Sequence, residues 1–323
     1  MDTDTPDIVV LDHPAHGIPA TEYARVLRNR LPNYNVSLAK TKAKERTFVA
    51  DAPVVTGHHL EEETLSRASD LHLFACTAAG VNHLPLETFA DRGIAVTNAS
   101  GVHGPNIAEH VLGWILMFTR RLDEGLRRQR RREWRRFQSF TELAGSTVTI
   151  VGLGTIGEAI VRRLDGFDVH TIGVRHTPSK GGLTDEVIGY DRNAIRAALT
   201  RTDVLVLACP LTDTTRGLIG QNELHALPVD AVMINISRGA VVDTDALVTA
   251  LQQNRIHGAA LDVTEPEPLP EDHPLWGFEN VFLTPHTSGH TPAYWNRVAD
   301  ILAENIERAE NTGEYRELKN QIV

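Results

Sequence analysis

The sequence predicts an α/β fold of two doubly wound parallel sheets, and three observations predict it. Short apolar runs alternate with amphipathic segments along most of the 323 residues, the pattern of strand, crossover helix and parallel strand. At mid-chain a run of β-branched residues, Thr147–Val151, feeds into Gly152-Leu153-Gly154-Thr155-Ile156-Gly157, after which Ala159, Ile160 and Leu164 recur at helical spacing. A last helical stretch, from Trp295 to about Glu310, is expected to return to the first unit, which makes that domain discontinuous. The expected division is residues 1–101 with 287–323 for one domain and 102–286 for the other.

In the first unit strands are expected over 8–11, 36–38, 54–56, 71–75 and 94–97, with a helix over 23–31. The loops Thr56-Gly57-His58-His59 and Thr77-Ala78-Ala79-Gly80-Val81-Asn82 follow C-terminal strand ends, where open α/β sheets bind ligands. The turn Ala79-Gly80-Val81 can aim backbone N–H groups at a carboxylate, and a plain turn fits it equally well. A helix expected over 106–121 carries Ile107, Ala108, Val111, Leu112, Trp114, Ile115, Leu116 and Phe118, apolar on nearly all sides. Such a helix must be buried on several sides, as a crossover between domains and a subunit interface. The basic block 127–136 reads either as a nucleic-acid patch or as a surface helix pairing with acidic groups of a partner subunit; the acidic surplus elsewhere favours the second. In the second unit strands are expected over 147–151, 169–174, 187–190, 204–207, 232–236, 258–261 and 281–284, with helices over 194–199 and 246–251.

The strand, glycine turn and helix at 147–164 are what a dinucleotide site needs. The first glycine permits the tight turn, the second lets the backbone approach a pyrophosphate, and the third lets helix and strand pack closely. The helix N-terminus then faces an anion. A binder of the unphosphorylated cofactor ends its second strand in Asp or Glu, for the ribose 2′-hydroxyl. Here the position holds Arg175, with His176, Thr177, Ser179 and Lys180 behind it. A planar guanidinium suits a 2′-phosphate and a carboxylate would repel one, so NADP(H) is expected in preference to NAD(H). A solvated surface arginine is the alternative.

Composition sets the remaining bounds. At 323 residues and 41% apolar content, each of two domains can bury its own core. The formal net charge of -10 repels nucleic acid and anionic membrane. Lysine is confined to Lys40, Lys42, Lys44, Lys180 and Lys319, a bias towards arginine that hints at a salt-adapted or GC-rich source. Cys76 and Cys209 lie far apart in apolar contexts without metal-ligand spacing, so no metal is expected and the pair reads as buried free thiols in a reducing compartment. The polar N-terminus and the shortness of the longest apolar run, residues 111–118, point to a soluble, cytoplasmic protein.

Three polar groups follow strand ends in the second unit. They are Arg238 in Asn235-Ile236-Ser237-Arg238-Gly239, Glu267 in Asp262-Val263-Thr264-Glu265-Pro266-Glu267-Pro268, and His286 in Thr284-Pro285-His286-Thr287-Ser288-Gly289. With Gly80-Val81-Asn82, the segment 101–109, the glycine fingerprint and Cys209-Pro210-Leu211-Thr212, these motifs resemble the D-isomer-specific 2-hydroxyacid dehydrogenase family over nearly the whole chain. The resemblance implies a Rossmann cofactor domain inserted into a flavodoxin-like substrate domain, in a homodimer joined through the cofactor domain. It also implies reduction of 2-keto acids to D-2-hydroxy acids. Arg238 would hold the carboxylate and polarise the carbonyl, His286 would donate the proton, and Glu267 would orient and stabilise the imidazolium. Glu265 is the rival to Glu267, set aside by the family spacing from Asp262.

By the same resemblance Asp262 would contact the nicotinamide carboxamide, and Pro210, Ile236, Ser237 and Ser288 would line the cofactor cleft. Thr215 would reach the phosphates and Asn106 would face the nicotinamide. Ala79, Gly80 and Val81 would complete the substrate carboxylate site with Arg238 and His286, while Tyr294, Trp295, Met117 and His58 are candidate pocket walls. Two departures from the family pattern stand out: His103-Gly104, and Thr264 where an aromatic residue is usual. Arg175 points towards glyoxylate and hydroxypyruvate reductases. Two other readings stay open within the superfamily, a cofactor-sensing corepressor and a formate dehydrogenase, the latter lacking a Glu-His pair.

Overall fold

The computed structural model describes residues 5–323. In chain order the first strands are β1 (Ile8–Leu11), β2 (Val36–Ala39), β3 (Val54–Gly57), β4 (Leu73–Cys76) and β5 (Ala95–Thr97). Between them run α1 (Ala20–Arg30), α2 (Lys42–Val49), α3 (Glu62–Arg67) and α4 (Leu86–Asp91). Then come α5 (Gly104–Thr119), α6 (Leu122–Arg130), β6 (Thr147–Val151), α7 (Thr155–Leu164), β7 (His170–Val174), β8 (Glu186–Ile188), α8 (Arg192–Leu199) and β9 (Val204–Leu207). The last elements are α9 (Gln221–Ala226), β10 (Val232–Asn235), α10 (Thr244–Gln252), β11 (Gly258–Leu261), β12 (Val281–Leu283) and α11 (Tyr294–Thr312).

The chain divides into two compact units, one formed by residues up to His103 with His290–Val323, the other by Gly104–Gly289. The breaks fall two or three residues beyond the expected 101/102 and 286/287. The first unit holds a five-stranded sheet in the order β2-β1-β3-β4-β5, every pair parallel. Alternate side chains of its strands feed two cores. Ile8 and Val10 pack with α1 and α11 on one face, and Val9, Val55 and Phe74 pack with Leu65 and Phe89 on the other. Trp295 of α11 stacks on Tyr23 of α1 with ring centroids 4.6 Å apart. Tyr294 and Trp295, candidates for pocket walls, are therefore core residues, 4% and 2% exposed.

The second unit holds seven parallel strands in the order β12-β11-β10-β9-β6-β7-β8. The order reverses between β6 and β9, the switch point at which such sheets bind ligands. Val151, Leu207 and Met233 face one core; Ile150, Val206 and Ile234 face the other, where α5 packs on α7.

The helix expected over 106–121 begins and ends two residues earlier, as α5, and belongs wholly to this unit. It buries the 3-4 spaced stripe Ile107, Ala108, Val111, Trp114, Ile115 and Phe118, while Glu109 and Gly113 lie exposed, so it is amphipathic rather than buried all round. The basic block also departs from expectation. Only its start is helical, in α6, where Arg127 pairs with Asp123 at 2.7 Å and Arg128 with Glu124, acids of the same helix one turn earlier. The strand expected over 187–190 is β8, shifted towards the N-terminus by one to two residues.

Candidate active site

The glycine fingerprint occupies the switch point. Gly152, with φ +108°, runs so close to the start of the loop after β9 that a Cβ there would lie 2.6 Å from the Cys209 nitrogen. At Gly157 a Cβ would lie 2.1 Å from the Gly152 carbonyl oxygen, which explains the need for glycine where helix meets turn. Gly154 is the opposite case. A Cβ there meets nothing within 4 Å, so the backbone at the start of α7 is open to an approaching anion. The residues thus fit a dinucleotide: two glycines where the chain crosses itself, and one where the space is free. Thr155 is exposed at the helix N-terminus with Ile156 half-buried behind it, while Leu153 turns inward, 3% exposed, and offers only its backbone.

A cavity of about 270 Å³ opens from these glycines and is lined by Arg175, His176, Thr177, Lys180, Pro210 and Thr215 among others. Arg175 directly follows β7, as expected, and its Nη1 donates to the Gly181 carbonyl, which folds the 176–181 loop around it. Thr215 lines the wall, but its hydroxyl is committed, donating to the Pro210 carbonyl at 2.6 Å and accepting from the Thr212 N–H at 2.8 Å. The exposed hydroxyls lining the cavity belong to Thr177, to Thr212 at the end of the Cys209-Pro210-Leu211-Thr212 motif, and to Thr214, which its sequence context did not single out.

Arg238 is delivered by a turn wrapped around one buried side chain. Asn235, the last residue of β10, accepts from the Ser237 N–H at 3.0 Å and hydroxyl at 2.7 Å, and donates to the Arg238 carbonyl at 3.1 Å. Ile236 and Ser237 are buried by this turn, and Arg238 is exposed beyond it. Its guanidinium donates to the Ser237 carbonyl, and among the described residues no carboxylate pairs with it. Gly239 then packs against the segment that leads to Glu267: a Cβ on it would sit 2.0 Å from the Thr264 carbonyl oxygen. The Arg238 and Glu267 segments are neighbours through backbone contact.

His286 lies three residues past β12 with φ +53°, a left-handed conformation uncommon for a residue with a side chain. Its Nδ1 is 2.7 Å from Glu267 Oε1. Glu265, the rival, has no such contact; its carbonyl accepts from the Thr244 hydroxyl. Glu267 and His286 share a cavity of about 650 Å³ with Pro268, Leu269, Trp276, Leu283 and Pro285.

Asp262 holds the histidine turn. Its Oδ1 accepts from the Thr284 hydroxyl at 2.6 Å and the Thr287 N–H at 2.8 Å, and its Oδ2 accepts from the Ser288 N–H at 3.0 Å and the Ser288 hydroxyl. Burial pushes this carboxyl up, but the Ser288 and Thr284 donors outweigh it and leave the group below the usual carboxylate range. All four lone-pair sites are filled from within the chain and the residue is 2% exposed, so its side chain pins the turn. Ser288 is likewise buried. Asn106, on α5, donates to the Ser288 carbonyl at 2.9 Å.

In the first unit the Ala79-Gly80-Val81 loop follows β4. It is shaped by Asn98, which donates to the Ala79 carbonyl at 2.7 Å, and by Tyr294, whose hydroxyl donates to the Thr77 carbonyl. Gly80 is exposed, and a Cβ on it would meet nothing within 4 Å. His58 stacks between His13 and His83, at centroid distances of 4.7 and 4.4 Å. Among the described residues no helix is long and apolar enough to cross a membrane, no three ligating side chains are grouped to hold a metal ion, and Cys76 and Cys209 are buried free thiols.

These features define a nicotinamide-dependent dehydrogenase of two doubly wound units, and comparison with known proteins gives the family. The model of the D-isomer specific 2-hydroxyacid dehydrogenase NAD binding domain matches residues 112–288. The chain is 35% identical over 252 residues to a glyoxylate reductase of Thermofilum pendens, covering 76% of this chain and 74% of that one. It is 36% identical over 250 residues to a glyoxylate/hydroxypyruvate reductase of Arabidopsis thaliana, covering 76% and 78%. A solved D-isomer specific 2-hydroxyacid dehydrogenase of Xanthobacter autotrophicus, in complex with NADPH and MES, superposes with a TM-score of 0.77 at 27% identity over 98% of both chains. The protein belongs to the D-isomer-specific 2-hydroxyacid dehydrogenase family, and is an NAD(P)-dependent oxidoreductase of small keto and hydroxy acids.

Proposed function

We propose that the protein reduces small 2-keto acids, glyoxylate and hydroxypyruvate among them, to D-2-hydroxy acids, with NADPH preferred over NADH. The observation that carries this reading is the 2.7 Å contact between His286 Nδ1 and Glu267 at the ends of neighbouring strands. With Nδ1 engaged by the carboxylate, Nε2 is the nitrogen left to give its proton to the substrate oxygen. Glu267 orients the ring and offsets its charge when it is protonated. Arg238, whose guanidinium pairs with no carboxylate among the described residues, holds the substrate carboxylate and polarises the carbonyl through paired hydrogen bonds. The N–H groups of Ala79, Gly80 and Val81 are the proposed second hold on that carboxylate. When bound, the nicotinamide supplies the hydride.

The cofactor preference rests on Arg175, His176, Thr177 and Lys180, which line the fingerprint cavity with no acidic side chain among its lining residues. A 2′-phosphate there meets a fixed guanidinium and an ammonium. The relatives named for glyoxylate and hydroxypyruvate support the substrate class. Two buried free thiols support a reducing, cytoplasmic setting. The test is a panel of 2-keto acids run with each cofactor, on the native chain and on Arg175→Asp. The native chain is expected to reduce glyoxylate with NADPH favoured, and the variant to shift towards NADH by about tenfold or more, since a carboxylate would repel the phosphate. Unchanged selectivity would refute the phosphate assignment. NADPH binding with no turnover of any keto acid would favour the corepressor reading.

A further inference from the structure

One half-buried titratable side chain beside the active turn is not used by the mechanism above. His110 lies on α5 one helical turn after Asn106, so the two share a face. Both reach the turn that carries His286, and they reach it on either side of that residue: Asn106 Nδ2 donates to the Ser288 carbonyl at 2.9 Å, and His110 Nε2 lies 3.4 Å from the Thr284 hydroxyl oxygen. Thr284 has one hydroxyl proton, and it is directed at Asp262 Oδ1, 2.6 Å away. The oxygen can therefore only accept from the imidazole, which assigns the ring proton of neutral His110 to Nε2.

The chain of contacts continues from Asp262 into the turn. Its carboxylate takes the Thr287 and Ser288 N–H groups, and its backbone carbonyl takes the His286 N–H at 2.8 Å. Burial pulls the His110 pKa down, with the Asp262 charge opposing; the geometry itself requires only that Nε2 carry a proton. Asp262 is the charged group facing it. Glu109, its neighbour on α5, is exposed and pairs instead with Arg163 of α7, and Trp114 meets the ring edge-on at a centroid distance of 4.2 Å.

We propose that His110 is a positioning residue: through Thr284 and Asp262 it fixes the turn that aims His286 at the reacting oxygen. The proposal rests on the reading of His286 as the proton donor and deepens it. A histidine present only to pack against Trp114 would be replaceable by leucine without consequence for the turn; a histidine that donates from Nε2 would be replaceable by glutamine, whose amide nitrogen can occupy the same place.

The experiment compares His110→Leu, His110→Gln and Thr284→Val in the full chain. It reads kcat and KM for glyoxylate, the NADPH dissociation constant, and amide hydrogen exchange of the 284–289 segment without cofactor. His110→Leu is expected to lower kcat about tenfold with the NADPH constant within about twofold, and to speed exchange at 284–289 while the rest of α5 stays protected. His110→Gln should restore both. The His110→Leu/Thr284→Val pair should be no worse than Thr284→Val alone, because both changes break one line of contacts. Native exchange at 284–289 in His110→Leu, or loosening of the whole of α5 that glutamine does not repair, would overturn the proposal. The exchange readout keeps it separate from the parent reading: if His286→Ala retains turnover, the proton-donor assignment falls while the effect of His110 on the turn is still measured.

Discussion

At the scale of single residues, the groups proposed to carry the chemistry stand out in the sequence because each follows a strand end and carries a charge or a titratable ring. What sequence could not convey is how they are held. Asn235, Thr264 and His110 act through hydrogen bonds to partners remote in sequence or to backbone atoms, and nothing in their type announces it. Thr264, which departs from the family pattern, donates to the Pro266 carbonyl at 2.8 Å and so braces the segment leading to Glu267. The four donors that converge on Asp262 come from Thr284, Thr287 and Ser288, which its neighbours in sequence do not reveal. A second histidine group gives a prediction in pH. The His16 ring stacks on His290 at 4.6 Å and tilts against His103 and Tyr294, and burial first, then the two histidines, bring its pKa down to about 4. The unfolded chain binds the proton near 6.5, so between that pH and about 4 it holds more protons than the fold, and stability falls as pH falls. For a partly buried ring the loss is on the order of 2 kcal/mol. Melting curves at pH 7 and pH 5 should show a smaller drop for His16→Asn than for the native chain; equal drops would contradict this.

At the scale of elements, the long strands and the helices α1, α5 and α11 were legible from apolar spacing, whereas α3, α4 and α9, each of six residues, show too few turns for a periodicity to register. The segment 122–142 illustrates the limit in another way. Its charge is basic; Arg127 and Arg128 are answered by acids one turn away on the same helix and Arg135 by Glu133. Its apolar side chains do need covering. α6 buries none of its residues, Leu122, Leu126 and Phe140 are about half exposed, and Trp134 lies open to solvent. Such a patch on one unit supports a homodimer formed through the cofactor-binding unit, in which a second copy covers it. Sedimentation should give a dimer of the 35.6 kDa chain, and Leu126→Glu combined with Trp134→Glu should shift it towards monomer. A native monomer at micromolar concentration would contradict the assignment.

At the scale of the whole molecule, two parallel sheets were legible because a strand joined to the next through a helix can pair only in parallel. The order of the seven strands, and with it the meeting of the fingerprint and the loop after β9 at the switch point, emerges only from packing. The same packing brings β11 and β12 side by side, and with them Glu267 and His286 into contact, which is the geometry on which the proposed reaction depends. The most direct measurement is glyoxylate reduction by His286→Ala, with the NADPH dissociation constant determined on the same preparation. A histidine that donates the proton predicts a loss in kcat of at least about a hundredfold with cofactor affinity within about twofold of native. Turnover within about tenfold of native, or a parallel loss of cofactor binding, would mean that the imidazole serves the structure and not the reaction.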